Sequence, residues 1–466
     1  MEKIFEPSRE IEVIRETDVL IIGGGPGGIG AAIASARNGS RTTLIEQYNC
    51  LGGVATSGLM LFFSKLLGES TDEFIIKGIP FEFHNRMANA QKGQGTDESG
   101  AEIVDSVIYK NQQNKKQDGW GGQGNLLVDP ELAKIELDNM MKEANVDLFY
   151  HTFGAFPIIQ NKSIKGVFIE GKSGRKAILS KITIDATGDG DIAAYSGATF
   201  EKGRPGDGKL QPVSMMFLVR NVNIKRLLEY RREDPDFKDA MEKASQKQSG
   251  YNFHQNRRGR IAIGVRPNSN ECVVSSSNII NIDPTDIESL TIAEIKGREQ
   301  VHKLFEFLRN FVPGCENSFL SQTGHTVGIR ESRRIIGEYI LSEDDVMNGV
   351  QFTDSIAQGS YPIDVHDPEC DAMGMVFHKF NRINATHYDI PYRCLVPKKI
   401  ENLLVSGRCI SASYYALGSS RVMYTCMAIG EAAGAAAALT IRNKTSPREV
   451  DVNQLRQILH DQGALC

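Results

Sequence analysis

The chain lacks a long uninterrupted apolar run and lacks the charged-then-apolar leader of a secreted protein. Its most apolar segment, 423–441, is interrupted by Glu431 and is rich in alanine and glycine, which predicts a core helix rather than a membrane span. The first sixteen residues are charged and have no apolar centre, so we expect no signal peptide. These absences predict a cytoplasmic protein with no membrane partner.

Closely spaced cysteines are also missing. Eight cysteines are scattered between Cys50 and Cys466 without a Cys-x-x-Cys pair, which excludes a dense disulfide framework, a zinc finger and an iron–sulfur cluster held by this chain. We therefore predict reduced thiols and no metal ion. The formal net charge is −5, from 53 Lys and Arg against 58 Asp and Glu, and this slight acidic excess argues against nucleic acid as a partner.

The most informative segment begins at Asp18. Residues 19–22 predict a short buried strand, and Gly23, Gly25 and Gly28 fill the three glycine positions of G-x-G-x-x-G. The segment 29–38 predicts a helix of small residues. Such a turn lets the backbone approach a pyrophosphate, and the helix N-terminus presents free N–H groups and a positive dipole end to the phosphates.

A second predicted strand, 41–45, ends at Glu46, whose carboxylate is placed to accept hydrogen bonds from ribose hydroxyls. The fingerprint alone is also compatible with an ordinary glycine-rich turn between strand and helix. Strand, helix, second strand and terminal acid in register favour a dinucleotide site. A second fingerprint of this kind is missing, which argues against a permanent NAD(P)H site as well.

Five segments in chain order carry a resemblance to a known family. The chain resembles the FAD-dependent oxidoreductase family related to glutathione-reductase-type flavoproteins. The resemblance rests on the glycine fingerprint and on 184–191, 328–334, 361–366 and 402–411 followed by 418–423. It implies FAD as a noncovalent cofactor and redox chemistry more firmly than it implies any substrate.

The resemblance also implies which residues bind FAD. Backbone atoms of Ala155 would contact the adenine, and Arg408 stands where related flavoproteins have Asp, so a phosphate contact is expected. The last helix, from about Tyr424 after the lead-in 418–420, would direct amides at flavin N1 and O2 and favour the reduced anion. The full set is Gly23, Gly25, Pro26, Gly27, Gly28, Glu46, Gln47, Gly52, Gly53, Thr56, Ala155, Ala186, Gly188, Gly407, Arg408, Thr425 and Cys426.

The order of these segments predicts an α/β fold in which a Rossmann-like FAD-binding domain is interleaved with a smaller α+β substrate domain. We place the first part of the FAD-binding domain at 1–201, with a loop excursion at 68–124 that contains a short helix. Residues 202–386 form the predicted substrate or cap domain, and 387–466 complete the FAD-binding domain.

The catalytic residues are less clearly marked. His325 and Arg330, with His366 further along, lie in dense polar segments of an otherwise core-like stretch. One interpretation is a pocket above the flavin, where Arg binds an anionic or hydroxylated substrate and His moves protons. The other is a structural ion-pair network, Glu331 with Arg334 and Asp364 with an arginine. Cys50 lacks a resolving cysteine nearby, which argues against a redox role.

Three functional classes remain open. The first is a flavoenzyme that transfers a hydride between flavin and a small polar substrate, and the long predicted substrate domain favours it. The second is a flavin-bearing electron-transfer subunit that works with a redox partner protein. The third is a scaffold that binds FAD without chemistry. The electron donor or acceptor, the direction of the reaction and a homo-oligomeric state stay open at this point.

Overall fold

The computed structural model describes residues 3–92, 125–247, 251, 253, 261–266, 269–374 and 377–466. Most of the predicted excursion at 68–124 lies outside the described residues, from 93 onward. The part that is described contains the expected helix, Ile79–Lys92.

The strands in the described part of the chain are β1 Val13–Ile22, β2 Thr42–Ile45, β3 Phe62–Phe63, β4 Leu126–Leu127, β5 Asp147–Phe149, β6 Phe153–Gln160, β7 Ser163–Gly171, β8 Gly174–Asp185, β9 Phe200–Lys202, β10 Phe217–Arg220, β11 Ile263–Val265, β12 Glu271–Val274, β13 Phe319–Thr323, β14 Arg333–Ile335, β15 Ser355–Gly359, β16 Ile363–His366, β17 Phe377–Asn381, β18 Tyr388–Pro391 and β19 Leu403–Val405.

The α-helices in the same residues are α1 Pro26–Arg37, α2 Ile79–Lys92, α3 Pro130–Glu143, α4 Asp191–Tyr195, α5 Ile224–Glu233, α6 Lys238–Lys247, α7 Ile287–Phe311, α8 Glu343–Asn348, α9 Tyr414–Ser420, α10 Met423–Asn443 and α11 Val452–Asp461.

The main sheet has the order β5-β2-β1-β8-β7-β6, and β19 pairs with the far end of β8. The β5, β2, β1, β8 and β19 strands run parallel, while β6, β7 and the start of β8 form an antiparallel meander. Residues 19–22 of β1 are almost fully buried, as expected for a strand covered on both faces. The parallel sheet with helices confirms the predicted mixed α/β, Rossmann-like fold.

A second sheet, in the order β11-β12-β10-β13, is antiparallel and packs with α7. Its core draws on 213–327 and on Met373. Later residues such as Ile335 and Val365 pack instead into the core of the main sheet. The domain limits 1–201, 202–386 and 387–466 stay a prediction.

Helices α1 and α10 pack backbone against backbone. A Cβ at Gly30 would lie 2.1 Å from the Met427 carbonyl oxygen, and one at Gly430 would lie 2.0 Å from that of Gly27. A Cβ at Gly434 would lie 2.1 Å from the Ala31 carbonyl oxygen. Only glycine fits at these contacts, and this explains why both helices are built of small residues.

Helix α10 is long and apolar enough to cross a membrane by length and composition. Within the protein, 94% of its most apolar stretch is buried. It therefore forms the centre of the core, between α1 and the β15 strand. All eight cysteines are free thiols, and seven of them are buried.

Glu431, in the middle of α10, is a buried acid. Its Oε2 accepts a hydrogen bond from the Ile79 amide, 2.9 Å away, at the first residue of α2. Burial raises the pKa of Glu431 from 4.5 to about 8, against the opposing effect of this bond. Between those two values the folded protein keeps a proton that the unfolded chain has released, so stability falls as the pH rises.

We predict that Glu431→Gln flattens this dependence, because the amide still accepts from Ile79 but cannot ionise. The gain in unfolding free energy over the parent chain should be small at pH 5 and reach up to about 4 kcal/mol at pH 8, at about 1.4 kcal/mol per pH unit. Thermal melting at both pH values measures it. Glu299→Gln, at an exposed site on α7, is the control. An equal change in the melting temperature of Glu431→Gln at both pH values would contradict the prediction.

Candidate functional site

One cavity opens where the parallel strands end. Four residues at the ends of these strands line the cavity. They are Gly23 after β1, Glu46 after β2, Ala186 after β8 and Gly407, two residues after β19. The carboxyl ends of parallel strands meet at one edge of a sheet, and ligands bind in the crevice outside them. The cavity therefore occupies the place that this topology reserves for a dinucleotide.

The three fingerprint glycines have three different surroundings. Gly23 has a φ of +103°, which favours glycine. A Cβ at Gly28 would lie 1.8 Å from the Gly23 carbonyl oxygen, so this glycine allows α1 to approach the strand. A Cβ at Gly25 would meet nothing within 4 Å, and Gly25, Pro26 and Gly27 line the cavity. The open space beside Gly25 is where the sequence predicted the pyrophosphate.

Glu46 is held at the cavity wall by two backbone amides. Its Oε2 accepts from Gly24 N at 2.6 Å and its Oε1 accepts from Tyr48 N at 2.8 Å. Burial raises the pKa of Glu46, and these two bonds oppose the rise. Because each carboxylate oxygen has a second lone pair, the fixed group can still accept from ribose hydroxyls. Gln47 lines the cavity beside it.

The neighbouring wall comes from the start of β6. Thr152, Phe153 and Gly154 line the cavity, whereas Ala155 is buried and lies outside the lining. Ala155, for which the sequence predicted a backbone contact with adenine, is therefore not part of the cavity wall, and three residues just before it are. The pairing of β6 with β7 shifts register between Gly154 and Phe156, and the sequence pattern did not reveal this irregularity next to Ala155.

Ala186, Gly188, Gly407 and Arg408 also line the cavity, and a Cβ at Gly188 would lie 2.9 Å from Arg408 Nη2. Arg408 Nη2 lies 2.9 Å from Asp189 Oδ1, and its Nη1 donates to Ser332 Oγ at 2.9 Å. Ser332 Oγ also donates to Asp189 Oδ1 at 2.5 Å. Arg408 is thus already paired with Asp189, an acid of the 184–191 segment. Its guanidinium also lies at the cavity wall, where it can contact a bound anion.

Two predicted positions on the loop after β2 are not part of the wall. Gly53 and Val54 line the cavity, but Gly52 and Thr56 do not. Gly52 has a φ of +104°, and Thr56 Oγ1 donates to the Leu51 carbonyl at 2.6 Å. These two residues shape the short 3-10 turn at Gly53–Ala55, so their part in the site is indirect.

The last helix begins earlier than the sequence suggested. Val422 caps α10, whose first residue is Met423, and the Cys426 amide already donates to the Val422 carbonyl at 2.9 Å. The free amides therefore belong to 423–425, and the expected role of the Cys426 amide was wrong. Cys426 lines the cavity with Val422 and Met423, while Thr425 does not.

The lead-in 418–420 also has a different position from the predicted one. It forms the end of α9 rather than a cap for the last helix.

Burial raises the pKa of the Cys426 thiol to about 12, so this thiol stays protonated at neutral pH.

A cluster of charged and aromatic side chains closes the far end of the cavity. Arg330, Tyr361, Asp364, His366 and Arg421 all line it. Asp364 is the centre: Tyr361 donates its hydroxyl to Oδ2 at 3.3 Å, and His366 Nε2 lies 3.3 Å from Oδ1. The side chains of Asp364 and His366 are both nearly inaccessible to solvent. Two catalytic candidates, Arg330 and His366, therefore meet at one site.

Arg330 is the most deeply buried cation of this cluster, with 7% of its surface exposed. Its Nη1 donates to the Pro212 carbonyl at 2.6 Å. Burial and, to a smaller extent, the neighbouring Arg421 lower its pKa to about 9, against the opposing effect of Asp364. The guanidinium is still charged at neutral pH. Because it is buried, an anion bound beside it would stabilise it more than it would stabilise an exposed cation.

His325, the third catalytic candidate, lies elsewhere. Its side chain is exposed and is not part of the cavity wall, and its backbone amide donates to the Ser57 carbonyl at 2.7 Å. The chain bends at His325 and Thr326, and of these two residues only Thr326 lines the cavity. Proximity in sequence to Arg330 therefore misled the prediction for His325, because spacing does not give side-chain direction in an irregular segment.

The adjacent residues Arg333 and Arg334 lie on strand β14. Arg333 Nη1 pairs with Asp191 Oδ1 at 2.6 Å, next to the cavity. Arg334 Nη1 pairs with buried Glu331 at 2.5 Å. The network interpretation is confirmed for Glu331 and Arg334. Burial and nearby acids raise the pKa of Asp191 to about 6.

A sequence profile of the FAD dependent oxidoreductase family matches residues 18–459. The chain belongs to this family. The match covers both sheets and the whole cavity, so FAD is the cofactor and the protein is an oxidoreductase enzyme. The expected relationship to glutathione-reductase-type flavoproteins is confirmed by weaker similarity to leghemoglobin reductase and dihydrolipoyl dehydrogenase.

Individual relatives are distant. Leghemoglobin reductase of Glycine max is 34% identical over 165 residues, which cover 34% of this chain and 30% of that protein. Thiamine thiazole synthase of Metallosphaera sedula is 27% identical over 190 residues, which cover 37% of this chain and 69% of that protein. The chain thus spans under a third of the first of these relatives.

Solved structures resemble this chain only weakly. A geranylgeranyl bacteriochlorophyll reductase-like protein from Thermoplasma acidophilum has a TM-score of 0.48 and 11% identity, over 96% of this chain and 84% of that one. L-proline dehydrogenase from P. horikoshii has a TM-score of 0.41 and 14% identity, over 97% of this chain and 100% of that one.

The residues of this family member fit FAD. The space beside Gly25 admits a pyrophosphate, the fixed Glu46 carboxylate admits ribose hydroxyls, and Arg408 provides a cation between them and the far end. Glu46 and Gln47 would hold the adenosine. The 23–28 turn and Arg408 would hold the phosphates. Gly53 and Cys426 would line the flavin side.

The contrast between two fingerprint glycines gives a direct test of this fit. We predict that Gly25→Val keeps the apoprotein fold, since its φ of −73° is open to any residue and its Cβ meets only the cavity. FAD affinity should fall by at least about tenfold through crowding of the pyrophosphate. Fluorescence titration of FAD and melting of the apoprotein are the two measurements.

Gly28→Val is the matched variant. Its Cβ would clash with the Gly23 carbonyl, so it should lower the melting temperature of the apoprotein itself. If Gly25→Val binds FAD as the parent chain does, the cavity beside Gly25 is not the pyrophosphate site.

Proposed function

We propose that this enzyme transfers a hydride between bound FAD and a small polar organic molecule held at the Arg330–His366 end of the cavity. The observation that carries the proposal is the continuity of one cavity from Glu46, past the glycine turn, to the buried cluster around Asp364. Bound flavin supplies two-electron chemistry by giving or taking a hydride. The protein must then bind the substrate and manage one proton.

His366 is suited to the proton. When a hydride leaves a carbon that bears a hydroxyl or amino group, the heteroatom must release a proton, and in the reverse direction it must gain one. An imidazole changes charge near neutral pH and serves either direction. Asp364 Oδ1, 3.3 Å from His366 Nε2, orients the ring and stabilises its cationic form. Tyr361 holds the same carboxylate from the other side.

Arg330 and Arg421 are suited to binding and orientation. Both line the end of the cavity beside His366. Val54, Met60 and Met216 line the same cavity with apolar side chains. A polar molecule placed between these cations and the flavin side of the cavity would present its reacting carbon in a fixed orientation, which lowers the barrier to hydride transfer.

The experiment is an anaerobic one. The purified protein should be yellow, release FAD on acid precipitation and become bleached by photoreduction. The oxidised and reduced forms are then mixed with panels of alcohols, amines, ketones and imines while flavin absorbance is followed. Reduction or reoxidation by one chemical class supports the proposal. A flavin that exchanges electrons only with a co-purifying redox protein would assign the electron-transfer role instead, and a flavin that nothing reduces or reoxidises would assign a scaffold.

We predict that His366→Gln lowers the rate of flavin reduction by the active substrate by about 10²–10⁴, the usual contribution of general acid–base catalysis. FAD content should stay at that of the parent chain. His302→Gln, at an exposed position on α7, is the control and should change neither quantity. Equal rates for His366→Gln and the parent chain at every pH would remove His366 from the mechanism.

A further inference from the structure

The cluster at the end of the cavity contains more positive than negative charge. Arg330 and Arg421 are both cations, and Asp364 is the acid between them. We infer that the substrate is a monocarboxylate, and that its carboxylate is bound by Arg330 and Arg421. This inference rests on the proposed function and names the substrate class of that same site.

The first support is the hydrogen bonding of Arg330. A guanidinium has five N–H donors. In the described residues Arg330 makes one hydrogen bond, from Nη1 to the Pro212 carbonyl. This acceptor is neutral, so the cation is buried without a direct ion pair. A buried charge is unfavourable unless an anion and hydrogen bonds compensate it, and the wall of the cavity is the direction from which they can come.

The second support is the hydrogen bonding of Arg421. Its Nη2 donates to the main-chain carbonyl of Asp364 at 3.0 Å, and lies 3.7 Å from the Asp364 carboxylate. Its Nε is buried and has no hydrogen-bond partner. Arg421 is therefore also incompletely satisfied, although 16% of its side chain remains exposed.

Asp364 cannot neutralise both cations. Its carboxylate already contacts the Tyr361 hydroxyl at 3.3 Å and His366 Nε2 at 3.3 Å. Two guanidiniums against one carboxylate leave one net positive charge among these three groups. One carboxylate from a ligand balances that charge, whereas the dianion of a phosphate ester would exceed it. Planar guanidinium also matches a planar carboxylate in two parallel hydrogen bonds.

The rest of the wall indicates the substrate's other part. Met60, Phe62 and Met216 line the same cavity as Arg330 and Arg421. Thioether and aromatic surface favours apolar groups. The site therefore combines a charge for one carboxylate with room for an apolar side group, and this combination favours a monocarboxylic acid over a sugar or a dicarboxylic acid.

The test measures binding rather than turnover, so it is independent of the reaction itself. The oxidised FAD-loaded enzyme is titrated with propionate and benzoate, with propionamide and benzamide, and with inorganic phosphate, while the visible flavin spectrum is followed. We expect at least one carboxylate to perturb the spectrum and to bind at least about tenfold tighter than its amide. Phosphate should bind more weakly than that carboxylate.

Two variants locate the effect. Arg330→Met and Arg421→Met should each weaken the carboxylate by at least about tenfold and leave the amide nearly unchanged. Arg421→Met, at a partly exposed side chain, provides the answer if Arg330→Met fails to fold. Arg393→Met is the control, because Arg393 pairs with Asp354 at 2.8 Å outside the cavity, and it should bind like the parent chain.

Several outcomes overturn the inference. They are equal binding of carboxylate and amide, preference for phosphate, no perturbation by any carboxylate, or unchanged carboxylate affinity in both variants. A shifted flavin potential with unchanged carboxylate affinity would assign the excess charge to the flavin. Failure of the proposed function looks different, since it would be a flavin that no organic donor or acceptor reduces or reoxidises, whatever the binding data show.

Discussion

The contact between helices α1 and α10 is the constraint on which the site depends. Glycines at 30, 430 and 434 bring the two backbones so close that no Cβ fits between them. Because the helices lie this close, their N-termini emerge side by side, and Gly25, Pro26 and Gly27 share one cavity with Val422, Met423 and Cys426. Two positive dipole ends and the carboxyl ends of the parallel strands therefore converge on one place.

The same cavity joins two kinds of surface. Toward Glu46 the wall is mostly backbone and glycine, which suits a cofactor recognised by its phosphates and ribose. Toward Asp364 the wall is built from buried charged side chains. They come from the segment between β13 and β14, from β16 and from the residue after α9. Buried charges lower the free energy of unfolding unless they are paired, so their concentration at this end is better explained by a ligand than by the stability of the fold.

The predicted cofactor residues that do line the cavity come from local motifs, whereas Gly28, Gly52, Thr56, Ala155 and Thr425 do not line it. The strand, turn and helix of the fingerprint, Glu46, Ala186, Gly188 and the Gly407–Arg408 pair all follow from adjacent residues, and each lines the cavity. Arg421 and the wall at 152–154 were missed, because their exposure depends on strand faces and helix starts set by tertiary packing. His325 was misplaced for the same reason, and the start of α10 was placed near Tyr424 rather than at Met423.

The central claim is that FAD runs from Glu46 to the cluster around Asp364, so that the flavin ring and the substrate meet beside Arg330 and His366. A crystal structure of the FAD-loaded enzyme tests this most directly. The account predicts the adenosine ribose on Glu46, the pyrophosphate at Gly25 and the ring beside the Arg330–His366 end. A ring that lies at the Phe153 end, or that leaves the cavity for solvent, would contradict it.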